Sequence, residues 1–195
     1  MSFKCFIALA VDQALKNELG RLINTFRQND IFADNNIRWV ASNEMHLTLK
    51  FLGKVEDRDV PEICNSVTKA CQSLTAFEYT VGGINTFPDS SATRVIVATI
   101  EEGHTSLAIL ADEIDQAMNH IGFMLENRQF SGHVTLARIK ERKTGYMINE
   151  HLNEIPHYEP VVQVASEVKL LQSERGKNGM TYTTMHHIDL RPNSG

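Results

Sequence analysis

The sequence predicts an α+β protein that is bilobal and pseudo-symmetric, with two antiparallel-rich sheets and flanking helices around a central cleft. One reason is the order of predicted elements, because strand, helix, strands and helix occur in both halves. A second is a pair of near-identical tetrads in strand-like segments, one in each half. A third is size, since 195 residues with 42% hydrophobic content suffice for one large domain or two small lobes. No linker divides the halves, so residues 1–195 are predicted to form a single two-lobed domain.

The first half of the chain predicts two amphipathic helices among short strands. Asp12 can cap the first helix, and Pro61 fits the first turn of the second. Gly53 is expected to end one strand, and Gly82-Gly83 to interrupt another. The predicted elements are, in order, a strand over 3–11, a helix after Asp12, a loop over 28–36, strands over 37–40 and 46–52, a helix over 57–74, strand pieces over 77–81 and 84–87, and a turn over 88–91.

The second half repeats the alternation of strands and helices. β-branched residues after Arg94 predict a strand, and Thr105 can cap a helix that Gly122 ends. The remaining predicted elements are a strand that starts near 133, a shorter helix over 144–152, one long strand over 161–171, a turn over 174–179 and a last strand over 181–190.

The two tetrads are His46-Leu47-Thr48-Leu49 and His133-Val134-Thr135-Leu136, whose histidines lie 87 residues apart. Alternation of polar and apolar residues is typical of a half-buried strand. In each tetrad the aliphatic side chains are therefore predicted to face a core. The histidine and threonine then face a solvated space, about 7 Å apart along the strand. By the same alternation, Lys50 is predicted to face the cleft and Phe51 the core.

Two histidines and two threonines around one cavity suit acid–base chemistry on a phosphate. One neutral imidazole can take a proton from water, and a protonated one can give a proton to a leaving oxygen. Threonine hydroxyls can donate hydrogen bonds to anionic oxygens. A single histidine on a strand is more often structural, but two matching tetrads favour a functional role. A zinc site is disfavoured because the chain has no Cys-x-x-Cys or His-Glu-x-x-His pattern, so no metal is predicted.

Composition limits the class of protein. The net charge of −5 argues against a protein that coats nucleic acid, although not against one that grips a single RNA end. Three cysteines without metal-type spacing predict reduced thiols and a cytoplasmic location. No apolar run approaches the roughly 18 residues of a membrane span, so no membrane association is predicted.

The residues around the tetrads resemble the two-histidine (2H) phosphoesterase superfamily, and within it the RNA 2′,3′-cyclic phosphodiesterases, also called 2′-5′ RNA ligases. The resemblance runs nearly end to end. The segments that carry it are Arg38-Trp39-Val40, residues 46–53, Phe87 with Arg94-Val95, Phe130 with residues 133–138, and Leu171-Gln172-Ser173 before Tyr182.

This resemblance implies that the tetrads line the cleft of a bilobal fold. It implies hydrolysis of 2′,3′-cyclic phosphates on RNA ends or nucleotides to 2′-phosphates, with no metal and no other cofactor. By position, His46 is the proton donor to the departing 3′ oxygen, and His133 is the proton acceptor that activates water. Thr48 and Thr135 hold the phosphate oxygens. A monomer is expected.

Arg138 and Lys50 are further candidates for substrate binding. Strand alternation puts Arg138 on the core side unless the strand ends or bulges before it, and a structural ion pair is the alternative role. Two positions depart from the family pattern, because Gly132 stands where proline is common and Val97 where tryptophan is common. Two other functions stay open: ligation of tRNA halves through 2′-5′ linkages, and binding of RNA ends or nucleotides without turnover.

Overall fold

The computed structural model describes residues 1–88, 92–151, 154, 157–176 and 179–192. Parts of three predictions lie outside these residues, namely the turn at 89–91, the turn at 177–178 and the helix end at 152. The helices are α1 (Gln13–Gln28), α2 (Val60–Gln72), α3 (His104–His120) and α4 (Arg142–Glu150). The strands are β1 (Ser2–Ala10), β2 (Ile37–Trp39), β3 (His46–Glu56), β4 (Phe77–Phe87), β5 (Val95–Glu102), β6 (His133–Ile139), β7 (Val161–Ala165), β8 (Glu167–Gly176) and β9 (Gly179–Asp189).

The strands form one curled antiparallel sheet with the order β7-β4-β5-β6-β3-β1-β8-β9, and β2 pairs with β6. Its two halves meet where β3 lies beside β6, and the backbone partners there are Leu47 and Val134. The predicted α+β class is confirmed. The two predicted sheets are, in the described residues, two halves of one sheet, which this residue pair joins: five strands including β2 on one side and four on the other.

One apolar core joins the sheet to the helices. Buried residues of all four helices belong to it, as do Leu47 and Val134, which are fully buried. A smaller cluster of Phe6, Ala8 and Leu171 packs on the opposite face of β1 and β8. Among the described residues, this cluster contains strand residues and no helix residue, so this face of the sheet is available for a cleft.

The starts of two helices differ from each other in their chemistry. Helix α1 begins as predicted, because the Asp12 carboxylate accepts a hydrogen bond from the Leu15 backbone N–H at 2.8 Å. The prediction that Thr105 caps α3 is wrong, since the cap is Gly103 with a left-handed φ of +85°. A Cβ at Gly103 would lie 2.6 Å from Tyr79 Cβ, so the close packing also requires glycine.

Three strand boundaries were predicted incorrectly. Gly53 does not end β3 but sits in a bulge opposite Cys5, with φ +72°, and the strand continues to Glu56. Gly82-Gly83 likewise lies in an irregularity within the continuous strand β4. The predicted strand over 161–171 is divided at Ser166 into β7, which pairs with β4, and β8, which pairs with β1 and β9. Hydrophobic alternation cannot reveal such a change of partner.

Gly53→Ala is expected to lower the free energy of unfolding by about 1–2 kcal/mol, because left-handed backbone is unfavourable for a residue with a Cβ. Gly20 in α1 is the matched control, since an added Cβ would meet Ser42 Oγ at an ordinary 3.4 Å. Gly20→Ala should be neutral or stabilise by up to about 1 kcal/mol. Urea unfolding followed by circular dichroism measures both, and equal changes in the two variants would contradict the assignment.

Candidate active site

The tetrads lie side by side where the halves of the sheet meet. Because Leu47 pairs with Val134 in antiparallel register, His46 comes beside Thr135 and Thr48 beside His133. The four polar residues are half-buried, in contrast to the fully buried aliphatic residues between them. The structure thus brings together the four residues that the sequence singled out, and it relates them by an approximate twofold axis.

Both imidazoles are held by the same backbone contact. His46 Nδ1 lies 2.7 Å from the carbonyl oxygen of Glu44, and His133 Nδ1 lies 2.8 Å from that of Ser131. A carbonyl oxygen can only accept a hydrogen bond, so Nδ1 carries the proton in each ring. In the neutral state each Nε2 is therefore unprotonated and able to take a proton from a ligand.

Aromatic rings pack against both imidazoles. The Phe6 ring centroid is 4.7 Å from that of His46, and Tyr182 meets His46 edge-on at 5.0 Å. In the other half of the sheet, the Phe87 ring centroid lies 5.6 Å from that of His133. These contacts limit rotation of the imidazoles and keep each ring directed along its hydrogen bond.

A β-bulge at Leu49 inverts the alternation of β3 directly after the first tetrad. Adjacent residues of β1 pair with Thr48 and Lys50, which leaves Leu49 as the extra residue. The Lys50 side chain, 6% exposed, therefore turns to the helix side, where its ammonium contacts the Asp115 carboxylate. It also donates to the Met124 carbonyl oxygen at 2.8 Å. The prediction that Lys50 faces the cleft and binds substrate is corrected, because the bulge reverses its direction.

The second tetrad strand has a bulge at the equivalent residue, Leu136. Adjacent residues of β5 pair with Thr135 and Ala137, so the alternation of β6 inverts there as well. Ala137 is buried and Arg138 is exposed. Of the alternatives that the sequence left open for Arg138, the bulge is the one found, and it brings the guanidinium to the same face as His46.

A cavity opens at the His46 end of the cleft. Arg38 and Arg138 both line it and stand directly opposite each other on β2 and β6. Like charges in this arrangement repel. Among the described residues, Arg38 has a carboxylate nearby, that of Glu44 at 3.8 Å, and Arg138 forms no salt bridge. A bound anion would relieve the repulsion. The lining residues are Arg38, Val40, Glu44, His46, Thr135, Arg138, Met180 and Tyr182.

Sequence reasoning gave no site role to Arg38, Glu44 or Tyr182. Arg38 and Tyr182 lie in segments that carry the family resemblance, so their position along the chain was visible. The direction of their side chains could not be predicted, because the strands of Arg38 and Tyr182 contain no His-x-Thr-Leu tetrad. Without one, the sequence does not show whether these side chains face the same side of the sheet as His46. Glu44 lies in a 3₁₀ turn over Ser42–Glu44, where no periodic pattern operates.

The surroundings of His46 disfavour its charged form. Burial lowers the pKa of His46 below its usual value near 6.5, and the positive charges of Arg138 and His133 act in the same direction. The hydrogen bond to the Glu44 carbonyl opposes these effects. Burial, followed by the Glu44 carboxylate, raises the pKa of Tyr182, so its hydroxyl keeps its proton and can donate.

The two departures from the family pattern lie beside the second tetrad. Gly132 precedes β6 at a point where an added Cβ would come within 3.1 Å of Ile100 Cγ1. β6 nevertheless pairs with β5 from His133 onward, so the strand is intact. Val97 is fully buried and is the backbone partner of Thr135, so its side chain lies on the same face of the sheet as that threonine.

In the described part of the chain, no group of three or more His, Cys, Asp or Glu side chains is placed to hold a metal ion. Within the same ranges, no helix combines the length and the apolar character needed to cross a membrane.

Known proteins share this arrangement of sequence and fold. Residues 9–97, which include the first tetrad, match the family model described as LigT like Phosphoesterase. Over these residues the chain is similar to LigT-like phosphoesterases. It is 28% identical to the RNA 2′,3′-cyclic phosphodiesterase of Methanothermobacter thermautotrophicus over 95% of this chain and 97% of that protein. It is 26% identical to the Thermotoga maritima protein of the same name, over 94% of this chain and 93% of that one.

Solved structures share the fold of this chain. E. coli LigT complexed with 3′-AMP has a TM-score of 0.76 at 21% identity, covering 97% of this chain and 99% of that chain. A protein of Thermus thermophilus has a TM-score of 0.78 at 20% identity, with the same coverage of 97% and 99%. The resemblance predicted from the tetrads is confirmed.

Lys50→Met is expected to lower the free energy of unfolding by about 3–5 kcal/mol, because it leaves the Asp115 carboxylate uncompensated. Asp115 is only 13% exposed. The double variant Lys50→Met/Asp115→Leu should recover most of this loss, since no buried charge is left without a partner. Lys54→Met, at an exposed position of the same strand, is the control and should stay within about 0.5 kcal/mol of wild type. Urea denaturation measures all three, and equal losses from the two lysines would refute the burial of Lys50.

Arg138→Gln is expected to raise the pKa of His46, because it removes a positive charge that disfavours the imidazolium. NMR titration of the imidazole protons in phosphate-free buffer measures the change. Arg142→Gln removes an exposed charge from α4 and serves as the control, with no change expected at His46. An unchanged or lowered pKa in Arg138→Gln would contradict the placement of the guanidinium.

Proposed function

We propose that this chain hydrolyses 2′,3′-cyclic phosphates of ribonucleosides and RNA ends to 2′-phosphates, with His46 and His133 as the acid–base pair. The observation that carries the proposal is the side-by-side register of the tetrads, in which both Nδ1 atoms are bound to carbonyls and both Nε2 atoms are available. Relatives named RNA 2′,3′-cyclic phosphodiesterase, similar over nearly the whole chain, support the substrate class.

The proposed reaction is an in-line displacement at phosphorus. A water molecule gives a proton to Nε2 of neutral His133, and its oxygen forms a bond to phosphorus. The bond from phosphorus to the 3′ oxygen breaks, and that oxygen takes a proton from Nε2 of protonated His46. The product carries a 2′-phosphate and a free 3′-hydroxyl. The assignment of donor and acceptor follows the family resemblance, because the two histidines have closely similar anchors.

The charge that develops on phosphate needs donors around it. The Thr48 and Thr135 hydroxyls are proposed to donate to the non-bridging oxygens from opposite sides of the approximate twofold axis. Arg138 is proposed to bind the same phosphate, and its exposure on the cleft face supports this role. A bound phosphate would also offset the repulsion between Arg38 and Arg138, and it would favour the protonated His46 that the reaction requires.

The domain organisation, the oligomeric state and the location of the protein are also proposals. Residues 1–195 are proposed to act as one two-lobed domain, which the continuous sheet across both halves supports. A monomer fits a site built entirely from one chain. A cytoplasmic location fits the three free cysteines, Cys5, Cys64 and Cys71, since free thiols persist in reducing compartments.

His46→Ala and His133→Ala are each expected to reduce kcat by about 10²–10⁴-fold, the usual contribution of a general acid or base. The assay offers 2′,3′-cyclic nucleotides and cyclic-ended RNA in the presence of EDTA, with the product phosphate located by ³¹P NMR. His187→Ala, at an exposed position on β9, is the control and should keep full activity. Full activity in either tetrad variant would refute the proposal.

The same preparation separates the other two functions. RNA halves, one with a cyclic phosphate end and one with a 5′-hydroxyl end, are offered at matched concentration. The rates of ligation and of hydrolysis are then compared. Faster formation of a 2′-5′ linkage than of 2′-phosphate would favour a ligase. Tight binding of a 2′-phosphate nucleotide without any turnover would favour a binding protein.

A further inference from the structure

The strand β7 forms one end of the sheet, and in the described residues its only strand partner is β4. Val162 and Val164 are 57% and 55% exposed, and they alternate along this short strand with the buried Gln163 and Ala165. A free edge offers unpaired backbone N–H and C=O groups to another strand, so edges that face water usually carry polar or charged side chains. The edge at β7 instead presents two β-branched aliphatic side chains to solvent.

The opposite end of the sheet, formed by β9, carries the side chains expected of an edge that faces water. Its exposed side chains within the described residues are polar or charged, namely those of Thr181, Thr183, Thr184, His187 and Asp189. The two edges of one sheet thus differ in their chemistry. Exposed apolar surface of this kind is typical of an interaction site, and the difference points to β7 as the edge that a partner covers.

The exposed surface of β7 continues into a groove that reaches helix α3. Val164 and Ile109 both line this open groove, which has a volume of about 820 Å³. Ile109 is 51% exposed, although it lies in the middle of a helix whose neighbouring leucines are buried. Leu74 and Phe77 contribute further apolar surface, and Glu78 is the charged residue of the lining. A partner's apolar side chain can therefore enter the groove beside Val164 and Ile109.

The segments around the groove carry acidic residues and no lysine or arginine. Residues 70–93, 95–127 and 144–168, which include β4, β5, α3 and β7, contain neither of the two cations. Arg191, which a backbone bridge joins to Thr75, is a cation at the border of this region. The distribution gives the β7 end of the molecule a negative field, in contrast to the paired arginines at the cleft.

Three carboxylates lie close to the apolar surface. Glu78 is the backbone partner of Val164 on the neighbouring strand, so both side chains lie on the same face of the sheet. Asp112 and Glu113 follow Ile109 by three and four residues in α3, and they therefore lie on the same side of the helix. All three carboxylates are exposed, and among the described residues none of them forms an ion pair. The apolar surface is thus bordered by negative charge that has no counter-charge.

We propose that the free edge of β7 and the adjoining groove bind an extended, cationic segment of a partner protein. Added as a further strand, the segment completes the backbone hydrogen bonds of β7, and aliphatic residues at alternate positions cover Val162 and Val164. Lysine or arginine residues around them pair with the carboxylates of Glu78 and α3. This surface lies three strands away from β6, so it is separate from the tetrads and does not depend on the proposed reaction.

The charge of this surface argues against two other occupants. RNA is a polyanion, and the unpaired carboxylates repel it. A second copy of the chain, paired edge to edge through β7, brings its own Glu78 and its own acidic helix face. Like charges then add along the interface and oppose the pairing. A cationic segment of another protein has the complementary charge.

The test uses a fluorescein-labelled peptide of about seven residues in which lysine and valine alternate, and fluorescence anisotropy measures its binding to the full chain. Saturable binding is expected, with NMR shifts of the Val162, Val164 and Ile109 methyl signals. Three altered peptides carry serine in place of valine, glutamate in place of lysine, or methyl groups on alternate backbone nitrogens. Each should bind on the order of 10-fold or more weakly, because each lacks one component of the match.

Two variants of the protein test the same surface. Val162→Ser/Val164→Ser removes the aliphatic surface, and Glu78→Lys reverses the charge beside it. Each is expected to raise the Kd of the lysine–valine peptide about 10-fold. Met124→Ser changes an apolar side chain that is 84% exposed elsewhere on the molecule, so it is the matched control and should leave the Kd unchanged. Circular dichroism checks that all variants are folded.

Three results would overturn the inference. One is the absence of saturable binding by the lysine–valine peptide. Another is equal binding by the lysine–valine and lysine–serine peptides, which would indicate a general attraction between opposite charges. The third is a self-association, measured by sedimentation, that Val162→Ser/Val164→Ser abolishes and that the peptide does not affect. That result would assign the edge of β7 to a contact between copies of the chain.

Discussion

The site depends on one backbone pairing, that of Leu47 with Val134 where the two halves of the sheet meet. Antiparallel pairing of two residues that each lie between a histidine and a threonine necessarily sets each histidine beside the opposite threonine. A shift by one residue would exchange the two faces of a strand and bury its polar pair. The complete burial of both aliphatic side chains opposes such a shift. The same contact therefore completes the core and fixes the positions of the two histidines and two threonines relative to one another.

The two bulges account for the functional difference between the halves. A strand with uniform alternation would send Lys50 to the cleft and Phe51 and Arg138 to the core. With an extra residue at Leu49 and at Leu136, these directions are reversed in both strands at the same point. Lys50 then stabilises the helix side through Asp115, and the cleft receives one cation and one aromatic ring. The backbones of the two halves are thus approximately symmetric, whereas the side chains that they direct to the cleft are not.

Much of this arrangement could be predicted from sequence, for definite reasons. Strong amphipathic periodicity located the helices, and the paired tetrads located the two strands and their polar faces. The incorrect predictions concern strand boundaries that depend on which strands pair, and a local sequence pattern does not contain that information. Gly53 and Gly82-Gly83 are typical of chain reversals, yet here they sit in bulges of continuous strands. Residues 161–171 give one uninterrupted strand signal, although the chain changes partner at Ser166.

The anchors of the two imidazoles have a chemical consequence of their own. In catalytic triads an anionic carboxylate orients the histidine and stabilises its cationic state. Here the acceptors are the uncharged peptide oxygens of Glu44 and Ser131. A neutral acceptor fixes the tautomer while committing neither ring permanently to one charge. Each imidazole can thus either give or take a proton, as general acid–base catalysis requires of a side chain that must regain its starting protonation state after every turnover.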